Sequence, residues 1–151
     1  MSPNEKAFLD MLAHSEGTAR IGDRGYDALV GGGIFVGYAA HPNKMVALPR
    51  RGKPPIYSDA AGRYQFLFST WSLLRQRLQL PDFAPASQDA ACLELVREHG
   101  ALEDLNNGRV VSAINACNRV WASLPGSPYG QPVHTLTELL AVYKAAGGSI
   151  C

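Results

Sequence analysis

Residues 7–18, Ala-Phe-Leu-Asp-Met-Leu-Ala-His-Ser-Glu-Gly-Thr, form an apolar helical stretch that stops at a carboxylate followed directly by glycine. Upstream, Ser2-Pro3-Asn4-Glu5 has the pattern of an N-cap, a proline in the first turn and a capping-box glutamate. Apolar residues recur at helical spacing and predict one buried face: Ala7, Phe8, Met11 and Leu12. The polar residues are expected on another face: Asn4, Lys6 and Asp10.

Glu16 continues the row of Leu12 and is therefore expected on or near the buried side of the last helical turn. A carboxylate there loses water and faces the unfavourable end of the helix dipole, and both effects raise its pKa. A carboxyl group with a raised pKa is suited to general acid catalysis. A solvated glutamate at a frayed helix end is the alternative interpretation.

The bulk properties restrict the class of protein. A chain of 151 residues predicts a single domain over residues 1–151. The formal charge of +1 argues against electrostatic binding to nucleic acid or to a membrane surface. No apolar run is long enough for stable membrane insertion, and the N-terminus lacks the pattern of a signal peptide. We therefore expect a protein that folds in the cytoplasm.

The cysteines and histidines predict neither disulfides nor a metal site. Cys92, Cys117 and Cys151 are odd in number, and the first two lie in apolar helical patterns typical of core residues. The four histidines do not cluster in the sequence, so a metal site would have to be assembled by folding. We expect no metal and no other cofactor.

The remaining pattern predicts a mainly helical α+β fold. Glycine density between Gly17 and Gln65 excludes helix and favours a small irregular sheet with long loops, of which residues 48–57 are predicted to be a surface loop. Helices are expected from Ser69 onward, including residues 88–99, 110–123 and a last helix that begins with a Thr135–Glu138 capping box. A cleft between the β-lobe and the helices is the natural place for a ligand.

Five separated blocks of the chain resemble the lambda-type endolysins of bacteriophages, in the same order and over roughly residues 5–149. The blocks are residues 7–18; Gly25-Tyr26-Asp27 with Val30-Gly31-Gly32; Ala61-Gly62-Arg63-Tyr64-Gln65; Asp82-Phe83 with Pro85 and residues 87–90; and residues 121–126 with Tyr129-Gly130-Gln131. His14 stands where the lambda sequence has tryptophan. The resemblance implies a lysozyme-like fold and a lytic transglycosylase that cuts peptidoglycan glycan strands, without a cofactor.

In the implied reaction, Glu16 protonates the oxygen between N-acetylmuramic acid and N-acetylglucosamine, and the muramoyl C6 hydroxyl closes a 1,6-anhydro ring. A hydrolytic lysozyme acting on the same bond is the first alternative, for which Asp23, Asp27 and Asp59 are candidate second carboxylates. A non-catalytic wall-binding or virion module is the second. We expect a monomer, and the resemblance also implies that the protein leaves the cytoplasm of a Gram-negative host through a holin-made lesion.

Five further residues are predicted to bind substrate or to orient the acid. Gln65 resembles the glutamine of the transglycosylase Gly-x-x-Gln element and is expected to bind substrate; the alternative is a polar residue that ends an ordinary strand. Tyr129 is a candidate for stacking on a sugar or could pack under its loop, and Asp27 is a groove acceptor or an Asx-turn residue. Ser15 and Thr18 flank Glu16 and could orient it by hydrogen bonds.

Overall fold

A computed structural model of the protein describes residues 1–130 and 133–151. Gln131, the last residue of the Tyr-Gly-Gln block, lies outside the described residues. In chain order the elements are α1 (Pro3–Ser15), β1 (Val46–Arg50), β2 (Lys53–Ser58), α2 (Phe68–Leu78), α3 (Pro85–Glu98), α4 (Leu102–Asn106), α5 (Val110–Cys117) and α6 (Leu136–Ala145). The predicted mainly helical α+β fold with a small sheet in the N-terminal half is confirmed.

The chain divides into two compact units. The first, here called the helical unit, comprises Met1–Gly17 and Cys92–Cys151, and the second, the loop-rich unit, comprises Thr18–Ala91. The prediction of a single domain over residues 1–151 stays a prediction. No helix within residues 1–130 or 133–151 combines the length and the apolar character needed to cross a bilayer.

In the helical unit, α1 packs against α6 and α4. The predicted capping box is present, because Ser2 Oγ accepts the Glu5 N–H at 3.1 Å while Glu5 Oε2 accepts the Ser2 N–H at 2.8 Å. The apolar face of α1 is buried as predicted. Asn4 was expected on a face other than the buried one, and that prediction is wrong. Its side chain is buried, where Nδ2 donates to the Leu105 carbonyl at 3.0 Å and Oδ1 accepts the Ser149 N–H at 3.0 Å.

The predicted helix over residues 110–123 is too long, because α5 ends at Cys117. Asn118 leaves the helix and its Nδ2 donates to the Pro125 carbonyl at 3.2 Å. Trp121 is nevertheless buried, as its spacing predicted, because the turn after Cys117 still directs it inward.

In the loop-rich unit, the predicted surface loop at residues 48–57 is a β-hairpin instead. β1 and β2 pair antiparallel, with Leu48 opposite Ile56, around a turn in which Gly52 has a φ of +68°. Prolines are tolerated because both strands of a two-stranded sheet are edge strands, and the pairing register shifts between Leu48 and Arg50.

The three cysteines are free in the structure. Cys92 and Cys117 are buried, and burial raises the pKa of the Cys117 thiol to about 12. Cys151 is exposed.

Candidate active site

Glu16 caps the C-terminal end of α1. Its N–H donates to the Leu12 carbonyl at 2.8 Å, which keeps its backbone in the helical path, and Gly17 then turns the chain with a φ of +74°. Because the preceding turn is anchored by the buried residues Leu12, Ala13 and Ser15, the Glu16 side chain has a fixed origin. Glu16 itself is half-buried, as its position in the Leu12 row predicted.

Two serine hydroxyls form a chain that ends on this carboxyl group. Ser15 Oγ donates to Ser123 Oγ at 2.9 Å, and Ser123 Oγ donates to Glu16 Oε1 at 2.6 Å. Since Ser123 receives a hydrogen bond from Ser15, its own proton is directed at Glu16. Ser15 is therefore linked to Glu16 through Ser123, and its predicted orienting role stays a prediction.

The backbone around Ser123 is held from both sides. Trp121 and Leu124 are buried in the core, and the Leu124 N–H donates to the Trp121 carbonyl at 3.1 Å. The Ser123 carbonyl also accepts the His134 N–H at 3.4 Å. Ser123 therefore presents its hydroxyl from a fixed turn.

The pKa of Glu16 is raised above the usual carboxylic acid range, in the direction that the sequence predicted. Loss of water on burial is the largest cause, and it outweighs the hydrogen bond from Ser123 and the positive potential of His134, which both lower the pKa. The protonated form therefore persists to higher pH than in a solvated glutamate.

The hydrogen bond from Ser123 distinguishes the two oxygens of Glu16. When the group is protonated, the oxygen that accepts a hydroxyl proton is the carbonyl oxygen, so the acidic proton resides on Oε2. After proton loss, the same bond stabilises the carboxylate. One side chain is thus arranged to give a proton from Oε2 and to take one back.

A second polar cluster in the helical unit contains His14, His134 and Glu138. His14 Nε2 lies 2.8 Å and His134 Nδ1 lies 3.1 Å from Glu138 Oε1, and the two imidazole centroids are 5.1 Å apart. The predicted N-cap of α6 is present, since Thr135 Oγ1 accepts the Glu138 N–H at 3.2 Å, but the Glu138 side chain binds the two histidines. His134 and Glu138 are only four residues apart in the sequence, but nothing there indicates His14, which folding brings to this pair from 124 residues away.

Gln65 lies in the loop-rich unit, at the end of the tight turn Gly62–Gln65. The turn is closed by the reciprocal backbone pair of Ala61 and Phe66, at 3.0 Å and 2.9 Å. Gln65 has a φ of +53°, which is strained for a non-glycine residue, and its Nε2 donates to the Gly62 carbonyl at 3.0 Å. The amide oxygen has no hydrogen bond within residues 1–130 and 133–151, so Gln65 can still accept one from a ligand.

Thr18 and Asp27 hold loops of the same unit. Thr18 Oγ1 donates to the Arg63 carbonyl at 2.6 Å, which ties residue 18 to the turn that carries Gln65. Asp27 Oδ1 accepts the N–H of Asp23, four residues earlier, at 2.8 Å; this is a local turn bond but not an Asx-turn, in which the side chain bonds an N–H two residues later.

The other candidate carboxylates also have partners in the loop-rich unit. Asp23 accepts the Tyr38 hydroxyl proton at 3.0 Å, and burial with this carboxylate raises the pKa of Tyr38 to about 12. Asp59 Oδ1 accepts the Phe68 N–H at 3.2 Å. Each of these two carboxylates therefore accepts a hydrogen bond within the loop-rich unit.

Tyr129 belongs to the helical unit and is largely exposed. Its hydroxyl donates to the Arg119 carbonyl at 2.8 Å, which restrains the side chain of a residue that is 56% exposed. Much of this residue is therefore accessible to a ligand, and its predicted contact with a sugar stays a prediction.

Sequence reasoning missed Ser123, although it lies in the block at residues 121–126 that carried the resemblance. A serine in a loop has no pattern of its own, and only its position beside Glu16 identifies its role.

Comparison with known proteins gives a consistent result. The sequence model of the Endolysin family matches residues 6–150. The chain is 46% identical over 149 residues to the endolysin of Escherichia phage lambda, covering 96% of this chain and 92% of that one. It is 46% identical over an alignment of 157 residues to the endolysin of Escherichia phage P2, covering 96% of this chain and 93% of that one.

Solved structures show the same fold. The chain is similar to bacteriophage lambda lysozyme complexed with a chitohexasaccharide, with a TM-score of 0.94 and 44% identity over 100% of this chain and 98% of that one. A second structure of lysozyme from bacteriophage lambda gives a TM-score of 0.89 and 43% identity over the same shares. The lysozyme-like fold is thereby confirmed.

Proposed function

Because this chain belongs to the endolysin family, a family of peptidoglycan-degrading phage enzymes, we propose that it is a lytic transglycosylase. Its substrate is the β-1,4 bond between N-acetylmuramic acid and N-acetylglucosamine, and its product carries a 1,6-anhydromuramoyl end. The observation that carries the proposal is a half-buried Glu16 whose Oε1 is fixed by Ser123 and whose pKa is raised.

The reaction proceeds in two proton transfers. Glu16 Oε2 gives its proton to the glycosidic oxygen, and the C1–O bond breaks as N-acetylglucosamine leaves. The resulting carboxylate takes the proton of the muramoyl C6 hydroxyl, and O6 forms the new bond to C1. The reaction consumes no water, and Glu16 is protonated again at its end, ready for the next cycle.

One carboxyl group is sufficient in this mechanism because the nucleophile belongs to the sugar itself. An intramolecular hydroxyl has a high effective concentration, which can replace a nucleophile supplied by the protein. The Ser15–Ser123 chain supports the cycle, since it holds Oε1 in both protonation states and leaves Oε2 for the substrate.

The glycan contacts are part of the proposal. The relative solved with a chitohexasaccharide supports a glycan ligand for this chain. Gln65 supplies an amide oxygen from a rigid turn, and Tyr129 supplies an exposed ring for stacking on a sugar. Thr18 and Asp27 support these contacts from their loops, where Thr18 ties down the Gln65 turn.

The decisive experiment is mass spectrometry of muropeptides released from purified Gram-negative sacculi. Products lighter by one water, without a reducing muramic end, are expected. Reducing ends would instead establish a hydrolytic lysozyme. Sacculi that bind the protein but stay intact would leave only a binding module.

Glu16→Gln tests the acid directly. We expect it to lower the rate of cleavage by about 10²–10⁴-fold, because general acid–base catalysis is lost. Glu103→Gln is the matched control, since Glu103 is an exposed glutamate of the helical unit. Cleavage by Glu16→Gln at the rate of the control would show that Glu16 is not the acid.

Ser123→Ala tests the positioning role. We expect kcat to fall about tenfold with little change in KM, because one hydrogen bond to the acid is lost. Because the Ser123 hydrogen bond lowers the pKa of Glu16, its loss should also move the limb where the acid loses its proton to higher pH, which a purely structural role would leave unchanged. Ser112→Ala, at an exposed position on α5, is the control.

We further propose that the protein acts as a monomer and reaches periplasmic peptidoglycan from the host cytoplasm through a holin-made lesion. The relation to phage endolysins supports this route. Expression in a Gram-negative host should cause lysis only when a holin is co-expressed, and size-exclusion chromatography should give the mass of one chain.

A further inference from the structure

We propose that His14, His134 and Glu138 bind a divalent transition-metal ion of the Zn²⁺ class. One potential ligand atom from each residue lies within 4.8 Å of the other two. Glu138 Oε1 lies 2.8 Å from His14 Nε2 and 3.1 Å from His134 Nδ1, so the carboxylate oxygen already stands between the two rings. None of the three side chains takes part in the proton transfers proposed above, although His134 lowers the pKa of Glu16 and its N–H donates to the Ser123 carbonyl.

The donor set matches the chemistry of such an ion. Two imidazole nitrogens and one carboxylate oxygen are the ligands of many zinc sites that keep a fourth position for water. Hard ions such as Mg²⁺ and Ca²⁺ prefer all-oxygen ligands, and Cu⁺ prefers sulfur, so this set favours a borderline divalent ion.

The geometry needs only side-chain adjustment. Ligand atoms of a tetrahedral zinc site stand about 3.4 Å apart, because each lies about 2.1 Å from the metal. The widest separation here is within 4.8 Å, and rotation of half-exposed side chains can close that difference. The side chains of His14, His134 and Glu138 are 37%, 34% and 43% exposed, which also leaves access for the ion and for water.

Coordination exchanges hydrogen bonds for metal bonds. An ionised Glu138 can only accept, so the two ring nitrogens now facing it carry protons. To bind a metal, each neutral ring moves that proton to its other nitrogen and offers the freed lone pair. No oxidant or other reactant is required.

A bound ion would connect distant parts of the chain. His14 lies in the last turn of α1, Glu138 lies in the first turn of α6, and His134 precedes that helix. The unfolded chain does not hold these residues together, so the ion binds mainly to the native state and stabilises it. The site thus serves as a clamp between α1 and the start of α6.

The test is titration of tag-free Cys151→Ser protein, a background that removes the exposed thiol as a competing ligand. With Zn²⁺, isothermal titration calorimetry should give one ion per chain and the Tm should rise. With Co²⁺, visible absorption bands of a low-symmetry four-coordinate ion should appear at the same stoichiometry.

Single substitutions locate the ion. His14→Gln, His134→Gln and Glu138→Gln should each weaken binding by at least about tenfold and remove the rise in Tm. His99→Gln is the matched control and should bind like the parent. An absence of binding, or binding that the three substitutions leave unchanged, would overturn the proposal and leave a hydrogen-bonded surface cluster.

Discussion

The two units of the molecule are ordered by different interactions. In the helical unit, α1 packs against α4 and α6, α4 packs against α5, and capping side chains begin α1 and α6. In the loop-rich unit, irregular backbone is held by buried polar side chains. Gln88 is completely buried and bonds three separate backbone groups, while Thr18 and His41 bond the carbonyls of Arg63 and Phe66.

This difference determines how each unit should respond to mutation. A helix satisfies its own backbone, so what matters in the first unit is apolar volume and the helix ends. Irregular loops leave backbone groups that need side-chain partners, so hydrogen-bonding capacity matters as much as volume in the second. The two units can be distinguished by substitutions that change hydrogen-bonding capacity and keep the side-chain volume, or the reverse.

The largest effect is expected for Gln88→Leu, which keeps the volume and removes the polar atoms. It leaves the Arg63 N–H and the carbonyls of Tyr26 and Phe83 buried without their partner, at distances that were 2.8–2.9 Å. The free energy of unfolding should fall by about 3–5 kcal/mol. The matched change in the helical unit, Leu12→Met, should cost less than about 1.5 kcal/mol. Urea unfolding measures both free energies, and equal losses would contradict the proposed difference between the two units.

Gly62→Ala should have the next largest effect. Gly62 has a φ of +81°, and an added Cβ would lie 2.4 Å from Gln88 Oε1 and 2.8 Å from Phe83 Cζ. The cost should be about 3 kcal/mol, because strain in the backbone adds to the clash with the buried amide. Gly100→Ala has a similar φ of +71° with nothing within 4 Å, so it isolates the backbone cost of about 1 kcal/mol. If Gly62→Ala and Gly100→Ala lose a similar free energy of unfolding in thermal or urea experiments, the side chain of Gln88 moves away from the added Cβ at little cost.

Ser2→Ala tests the helix ends with a smaller effect. It removes the acceptor that holds the Glu5 N–H at 3.1 Å, so the free energy of unfolding should fall by about 1 kcal/mol. Ser2→Thr keeps the hydroxyl and should restore most of that loss. If alanine and threonine destabilise equally, the cap is not what orders the start of α1.

The smallest effect should be the pH dependence due to His41. Its Nε2 lies 2.8 Å from the Phe66 carbonyl and its Nδ1 accepts the Asn43 N–H at 3.0 Å, so a second ring proton would face a donor. Burial lowers the pKa of His41, although the Phe66 carbonyl and Asp59 act in the opposite direction.

Because the native pKa lies below the unfolded value of about 6.5, the unfolded chain binds more protons in that range. Stability from His41 is therefore present above about pH 6.5 and is lost as pH falls toward the native pKa. His41→Gln should flatten this part of the stability–pH curve in urea unfolding. If the slope of stability against pH is the same in His41→Gln, protonation of His41 does not contribute to the pH dependence of stability.

The same contrast explains what the sequence could predict. The limits of α1 and α6 follow from capping residues and helical periodicity, and the raised pKa of Glu16 follows from its place in the Leu12 row. Local patterns were enough because helices are determined by neighbours in the sequence.

Where partners are distant, the sequence was a poor guide. The hairpin at residues 46–58 was taken for a loop because its prolines and basic residues hide a weak β pattern. The contacts of Ser123 with Glu16, and of His14 with Glu138, span 107 and 124 residues and have no local signature.

The burial of Cys92 and Cys117 has a practical consequence. Alkylation and disulfide exchange require a thiolate, and the Cys117 thiol, with a pKa of about 12, supplies almost none at neutral pH. Cys151 alone among the three is exposed. A maleimide dye or a surface linker will therefore attach to the natural chain at residue 151, which provides a single point of immobilisation without any engineered cysteine.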